Sequence, residues 1–265
     1  MIIDFHTHCY PDELAVRALG AVHDVRTERS DGTYRGLMAA LDEAGIDKAV
    51  VLPVCGRPDH EKTVNGFLQT LSDDKLLPFV SVHPFSRNAA ALVEDYAKHG
   101  AAGIKFHTSL QNFRLDDERA TTLYKKAADL GMITVFHCGR PGIYPSALDC
   151  YPSDFRKIMR FLAPERTVLA HFGGYGINDE ELEALRSLPF FTDTSLSETQ
   201  FTRERFTRLL DTFDDDRILF GSDSPWRIVK NAAKFVRSAC SDEIRLQKIL
   251  CGNAERLLSS VRRAR

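Results

Sequence analysis

The chain has 265 residues, 43% hydrophobic and 27% charged, a composition that fits a globular protein and excludes a disordered or low-complexity one. Its 35 basic and 37 acidic side chains leave a formal charge of -2, so no global field draws in nucleic acid or an anionic membrane, and a small molecule is the expected partner. The six cysteines show no paired CxxC spacing, no apolar run approaches the ~20 residues a bilayer span needs, and the N-terminus opens on a strand-like run without a signal-peptide pattern; a reduced, cytoplasmic setting is expected.

In chain order, short apolar runs alternate with longer stretches of helical spacing. Strands are predicted at Met1–His8, Lys48–Val54, Leu76–His83, Ala102–Thr108, Met132–Cys138, Thr167–Phe172, Phe190–Ser195 and Ile218–Asp223. After the first strand, Arg17–Tyr34 is the least regular segment and reads as a loop over the mouth of the fold. Leu37, Ala40, Leu41 and Ala44 then make one helical stripe that Gly45 closes. Leu92–His99 ends at Gly100, Ala120–Leu130 ends at Gly131, and Ser153–Leu162 is stopped by Pro164. Glu180–Leu188, Glu204–Phe213 and Ile228–Cys240 follow, with further helix from Glu243 onward, while Arg262, Arg263 and Arg265 read as a solvated helix end. Eight strands with crossover helices predict an α/β fold, a (β/α)8 TIM barrel forming one domain over residues 1–265. An open doubly wound sheet is the competing arrangement; against it, no GxGxxG follows a strand and there is no phosphate loop.

In such a barrel the site forms where the strands end, and side chains two apart share a face. His6 and His8 then face inward together, at a spacing that lets two imidazoles grip one divalent ion, with Asp4 one step deeper to orient them. Taken alone, the pair reads equally well as two hydrogen-bonded histidines. His137 in Val-Phe-His-Cys-Gly, His171 in Leu-Ala-His-Phe-Gly-Gly and Asp223 in Phe-Gly-Ser-Asp-Ser-Pro end the fifth, sixth and eighth strands. Each singly reads as a satisfied core or loop-capping group. Together, five such residues on four strand ends would bury unpartnered polar groups at a cost of several kcal/mol, and a metal supplies the missing partner.

These motifs, in this order, resemble the amidohydrolase superfamily and within it amidohydrolase family 2, a branch of uncharacterised hydrolases, lactonases and aromatic-acid decarboxylases. The resemblance runs from Asp4-Phe-His-Thr-His through Gly103-Ile-Lys-Phe-His, His137, His171-Phe-Gly-Gly and Gly221-Ser-Asp-Ser-Pro to Gly252-Asn-Ala-Glu-Arg-Leu-Leu. It implies a divalent metal, commonly zinc, held by His6, His8, His137 and Asp223, with His171 close by as an acid-base or electrostatic group. A set of this kind leaves a position for water, whose pKa the cation lowers toward ~7. Asp223 can take the proton while His171 positions the water or polarises the substrate; which of the two does the main transfer stays open. Lys105 and His107 share a face of the fourth strand. In binuclear members of the superfamily a lysine on this strand is carboxylated and bridges two metals. The mononuclear branch needs no such bridge, so one metal is expected, with Lys105 and His107 as substrate-binding or bracing groups.

Lys105, Arg140 and Arg57 near the mouth suit a carboxylate-bearing substrate, although loop arginines are more commonly solvated surface. His83, Asp193 and Ser195 are expected to hold loops and ligands by hydrogen bonds, with Asp193 also in reach of substrate. Trp226 reads as pocket wall or as core. Cys9 and Cys138 lack a partner base, which argues against a cysteine hydrolase. The expected reaction is metal-activated hydrolysis of an amide, lactone or related bond in a small anionic molecule; decarboxylation on the same scaffold is the alternative, placed second because the decarboxylase relatives tend to be longer. A non-catalytic protein with a structural metal is the third reading, opposed by the open coordination position. Specificity is expected to lie in the loops Arg57–Val64, Leu110–Asp116 and Arg140–Tyr151, and the resemblance implies a homodimer of the kind relatives often form.

Overall fold

Apolar runs alternating with amphipathic stretches produce the strands and covering helices of an α/β protein. The structure, a computed structural model, describes residues 1–20, 30–71, 73–140 and 146–261. Its strands are β1 (Ile3–Thr7), β2 (Lys48–Val51), β3 (Leu76–Pro78), β4 (Gly103–Phe106), β5 (Ile133–Phe136), β6 (Thr167–Leu169), β7 (Phe191–Asp193) and β8 (Ile218–Leu219). They pair in parallel in the orders β1-β2-β3 and β4-β5-β6-β7-β8, and bridges from Val80 to Ile104 and from Thr7 to Ser224 join the two sets. The Phe5 N–H donates to Phe220 O at 2.7 Å and the Asp223 N–H to His6 O at 2.8 Å. The last strand thus returns to the first, the open sheet is excluded, and the fold is a (β/α)8 TIM barrel.

The helices are α1 (Asp12–Gly20), α2 (Tyr34–Ala44), α3 (Glu61–Gln69), α4 (Ala89–Lys98), α5 (Glu118–Asp129), α6 (Asp179–Ser187), α7 (Ser197–Gln200), α8 (Arg203–Leu210), α9 (Val229–Ala239), α10 (Glu243–Gln247) and α11 (Asn253–Ser259). α2 shows why such segments are helical: Thr33 caps it by accepting the Gly36 N–H, Leu37 and Leu41 bury one face, and Gly45 ends it at φ 66°, a conformation glycine adopts without steric cost. α1 and α3 were not predicted, and each overlaps an expected loop, Arg17–Tyr34 and Arg57–Val64, only in part. Residues 21–29 of the expected mouth loop, residues 141–145 of the third specificity loop, and Arg262, Arg263 and Arg265 lie outside the described residues.

Ser153–Leu162, expected as one helix, is instead two 3-10 turns, Pro152–Lys157 and Met159–Phe161, that meet at Ile158. The fully buried Phe155 and Ile158 are three residues apart, a spacing that suits the three-residue turn. Side chains from seven strands or their immediate ends, among them Ile3, Phe5, Val50, Phe79, Val135, Val168 and Leu219, fill the barrel, with Cys251, Ala254 and Leu257 closing its floor. Among the described residues no helix is long and apolar enough to cross a membrane.

Candidate metal centre

The first strand sets the site. Asp4 lies opposite Ala49 and Thr7 opposite Val51, so three steps along β1 match two along β2, a bulge of the kind that re-aims side chains. Beyond it, His6 and His8 converge on one carboxylate: His6 Nε2 lies 3.4 Å and His8 Nε2 3.2 Å from Asp223 Oδ1. His8 Nδ1 donates to Leu52 O at 2.6 Å, and His6 Nδ1 meets Asp193 Oδ2 at 2.8 Å. With both Nδ1 protons engaged, two bare Nε2 lone pairs face a carboxylate oxygen. Three acceptors in a buried site repel one another unless a proton or a cation lies between them. Burial, reinforced by the charges of Lys105, His8 and His137, pushes His6 protonation well below the usual imidazole range. The donor set therefore fits a cation.

Asp4 plays a different part from the expected one. Its Oδ1 accepts the backbone N–H of His6 at 3.1 Å and of Ser222 at 3.0 Å, so it ties β1 to the segment after β8 instead of orienting the imidazoles. The bulge explains the change, because it interrupts the alternation that would have put Asp4 beneath the two rings. Burial lifts the Asp4 carboxyl to about 7.

His171 and Asp223 follow β6 and β8 in left-handed backbone, at φ 61° and 67°. Non-glycine residues held so cost about 1–3 kcal/mol each and gather at functional sites. His6, His171 and Asp193 form a second group of converging donors beside His6, His8 and Asp223. The His171 N–H donates to Asp193 Oδ1 at 3.1 Å, and His171 Nδ1 lies 2.7 Å from Ser195 Oγ. Asp193 and Ser195 hold the site by hydrogen bonds, in the manner their strand-end positions suggested.

His137 stands outside both groups. It stacks face to face on His107, with ring centroids 3.7 Å apart and planes 8° from parallel, and its Nδ1 is 3.0 Å from His171 Nε2. Its Nε2 is buried with no hydrogen-bond partner among the described residues. Burial first, then the Lys105 charge, pushes its protonation down to about 3, against a partial upward pull from the Arg140 backbone.

Lys105 is 1% exposed and its Nζ has no hydrogen-bond partner among the described residues. Burial lowers its pKa to about 8, with Asp193 and Asp223 pulling the other way. His107 is buried two residues on, its Nδ1 accepting the Leu110 N–H at 3.3 Å, so the neutral ring carries its proton on Nε2. Arg140 is half-buried; its N–H donates to Tyr175 O at 3.1 Å and its guanidinium lies 5.9 Å from the Tyr175 ring. Arg57 instead forms an exposed 2.9 Å pair with Asp59, the solvated outcome. Trp226 is half-buried. Burial raises the thiols of Cys9, to about 12, and of Cys138, which disfavours a thiolate nucleophile.

Sequence reasoning missed Glu198 and Arg227. Glu198 Oε2 is buried without a partner among the described residues, and burial raises its carboxyl to about 7, with Arg227 opposing and Asp223 reinforcing the shift. Arg227 is buried four residues past Asp223, and its place just beyond a strand-end motif was the one available signal.

The model of the family described as Amidohydrolase matches residues 3–259. No curated protein matches the chain. Among solved structures, an uncharacterised TIM-barrel protein from Bordetella bronchiseptica is 19% identical with TM-score 0.77, covering 98% of this chain and 99% of that one. The 5-carboxyvanillate decarboxylase of Sphingomonas paucimobilis is 15% identical with TM-score 0.68, over 97% and 98%. A dihydroxybenzoic acid decarboxylase from Polaromonas sp. JS666, with bound manganese and the inhibitor 2-nitroresorcinol, is 17% identical with TM-score 0.68, over 98% and 97%. At these identities the likeness is one of fold.

Proposed function

Since the chain belongs to the amidohydrolase family, we propose that it is a metal-dependent hydrolase of a small, carboxylate-bearing molecule, cleaving an amide, lactone or related C–N or C–O bond. The observation that carries this reading is the convergence of two bare imidazole nitrogens on Asp223 Oδ1. His6, His8 and Asp223 would hold the ion, and the unpartnered Nε2 of His137 is the candidate fourth donor. An imidazole-rich set suits zinc, while the manganese in the Polaromonas structure makes it the competing ion. When bound, such a cation supplies Lewis acidity to a substrate oxygen and acidifies water.

The chain's own residues supply the rest. Asp223 is the proton acceptor at the site and His171, held by Ser195 and Asp193, is the second acid-base group. Lys105 Nζ offers an unpaired cation to a substrate carboxylate, with His107 and Arg140 as further substrate contacts. The buried surround keeps these interactions strong by excluding water.

A second reading, decarboxylation of a small carboxylic acid, is favoured by the decarboxylases among the structures of like fold. Those folds match from end to end, so chain length gives hydrolysis no advantage, and the converging donors would serve either reaction. Metal analysis of purified protein, His6→Ala and His8→Ala tests the centre: about one ion per chain is expected in the first and loss of it in the variants. Assays with small anionic lactones, esters, amides and hydroxybenzoates then test the reaction. Carbon dioxide release without any hydrolysis would replace the first reading by the second; unchanged metal content in both variants would remove the centre itself.

A further inference from the structure

We propose that Ser195 is a positioning residue that sets the imidazole tautomers of His171 and His137 and thereby leaves His137 Nε2 as a bare lone pair. The bearing of this on metal binding rests on the metal-centre reading above; the tautomers themselves do not.

Ser195 is fully buried, and its Oγ touches three polar groups: Asp193 Oδ1, to which it donates, His171 Nδ1 at 2.7 Å and His6 Nδ1 at 3.3 Å. A hydroxyl has one proton to give and two lone pairs to receive with, and an ionised carboxylate only receives. Asp193 Oδ1 also accepts the N–H groups of His171 and Ser195, at 3.1 Å and 3.0 Å. The serine proton therefore goes to Asp193, and the Oγ lone pairs must be met by N–H groups.

The remaining assignments follow in order. His171 carries its proton on Nδ1, so the Nε2 of the neutral ring is a lone pair. That lone pair lies 3.0 Å from His137 Nδ1, which must then donate. His137 in turn carries its proton on Nδ1 and presents a bare Nε2, the atom that is buried without a partner. His6, held through Nδ1 by Asp193, and His8, held through Nδ1 by Leu52 O, arrive at the same tautomer.

The opposite arrangement is a complete alternative. If Ser195 donated to His171, its Oγ lone pairs would press against the Asp193 carboxylate, His171 would donate from Nε2, and His137 would be left with a buried Nε2–H. That N–H would have the neighbouring Arg140 backbone as its acceptor, and the lone pair of His137 would lie on Nδ1, taken up by His171. Metal ligands must be unprotonated, so only the first arrangement readies His137 to hold a cation.

Long-range 1H–15N correlation spectra of the metal-free, 15N-histidine-labelled protein read the tautomers directly. In the wild type, His6, His8, His171 and His137 are expected as Nδ1–H. Ser195→Ala should move His137 to the Nε2–H form or to a mixture, and Ser195→Thr, which keeps the hydroxyl, should restore Nδ1–H. Metal affinity should fall about 10–100-fold in the alanine variant and recover in the threonine one, the range seen when groups supporting ligand histidines are removed. A wild-type spectrum with His137 as Nε2–H overturns the proposal, as does a folded Ser195→Ala protein with both tautomers unchanged. A wild type with the assigned tautomers but no affinity for zinc or manganese would instead defeat the metal-centre reading and leave the tautomer assignment standing.

Discussion

Lys105 concentrates the tension between folding and chemistry in a single side chain. Unfolded, it holds its proton up to the ordinary 10.5; folded, it releases it near about 8. Between those values the unfolded chain binds more protons than the folded one, so stability rises with pH across that window and the burial penalty is fully present below it. Lys105→Met should flatten that rise and stabilise the metal-free protein at neutral pH by on the order of 2–3 kcal/mol, while weakening binding of an anionic substrate. Urea unfolding at several pH values measures the first effect and substrate titration the second; a variant less stable at neutral pH would show that Lys105 is not an uncompensated buried charge. At this scale the convergence of His6, His8 and Asp223 was legible in the sequence, because each lies in or just beyond a strand after an apolar run; His137, expected as a fourth ligand, stands outside that group. The part played by Asp4 was not legible, since the bulge after it is a matter of pairing between strands. Glu198 was equally hidden, as its burial depends on a tertiary surround that no local pattern records.

Among the elements, β4 carries Lys105 and His107 and begins at Gly103, where space is the constraint. A Cβ there would lie 2.3 Å from the Phe79 ring, which packs edge-on against Phe5 with centroids 6.0 Å apart. Gly103→Ala should cost about 1–3 kcal/mol through overpacking, seen as a lower urea midpoint with an unchanged slope. Pairing Gly103→Ala with Phe79→Leu, which relieves the clash, should bring back part of the loss; additive losses in the pair would rule the clash out. Strand positions were readable from short β-branched and aromatic runs, and helices from stripes closed by glycine, as at Leu37 to Gly45. The segment after β5 was misjudged because apolar residues three apart satisfy an α-helix and a 3-10 turn alike, and only packing decides. α1 and α3 went unread because a short helix of mixed polarity carries little periodic signal.

Across the whole molecule, closure of the ring is the property the sequence could only suggest: eight strands are compatible with an open sheet, and the contacts from β8 back to β1 join residues more than two hundred positions apart. The Gly252-Asn-Ala-Glu-Arg-Leu-Leu run near the end of the chain proves to be the floor beneath that closure. Asn253 is fully buried, and its Nδ2 donates to Asp215 O and Ile218 O at 2.7 Å each, fixing the entry to β8, while Ile249 O receives the Phe220 N–H at its exit. Asn253→Ala should lower stability by about 1–3 kcal/mol by stranding buried carbonyls, with metal content per folded chain unchanged; loss of metal at full stability would place the residue in the centre and not in the floor. At the opposite end of the barrel, the left-handed turns at His171 and Asp223 set the direction in which each side chain leaves its strand end. Where His171 and Asp223 stand is therefore written in the backbone torsions of two turns and not in side-chain rotamers alone.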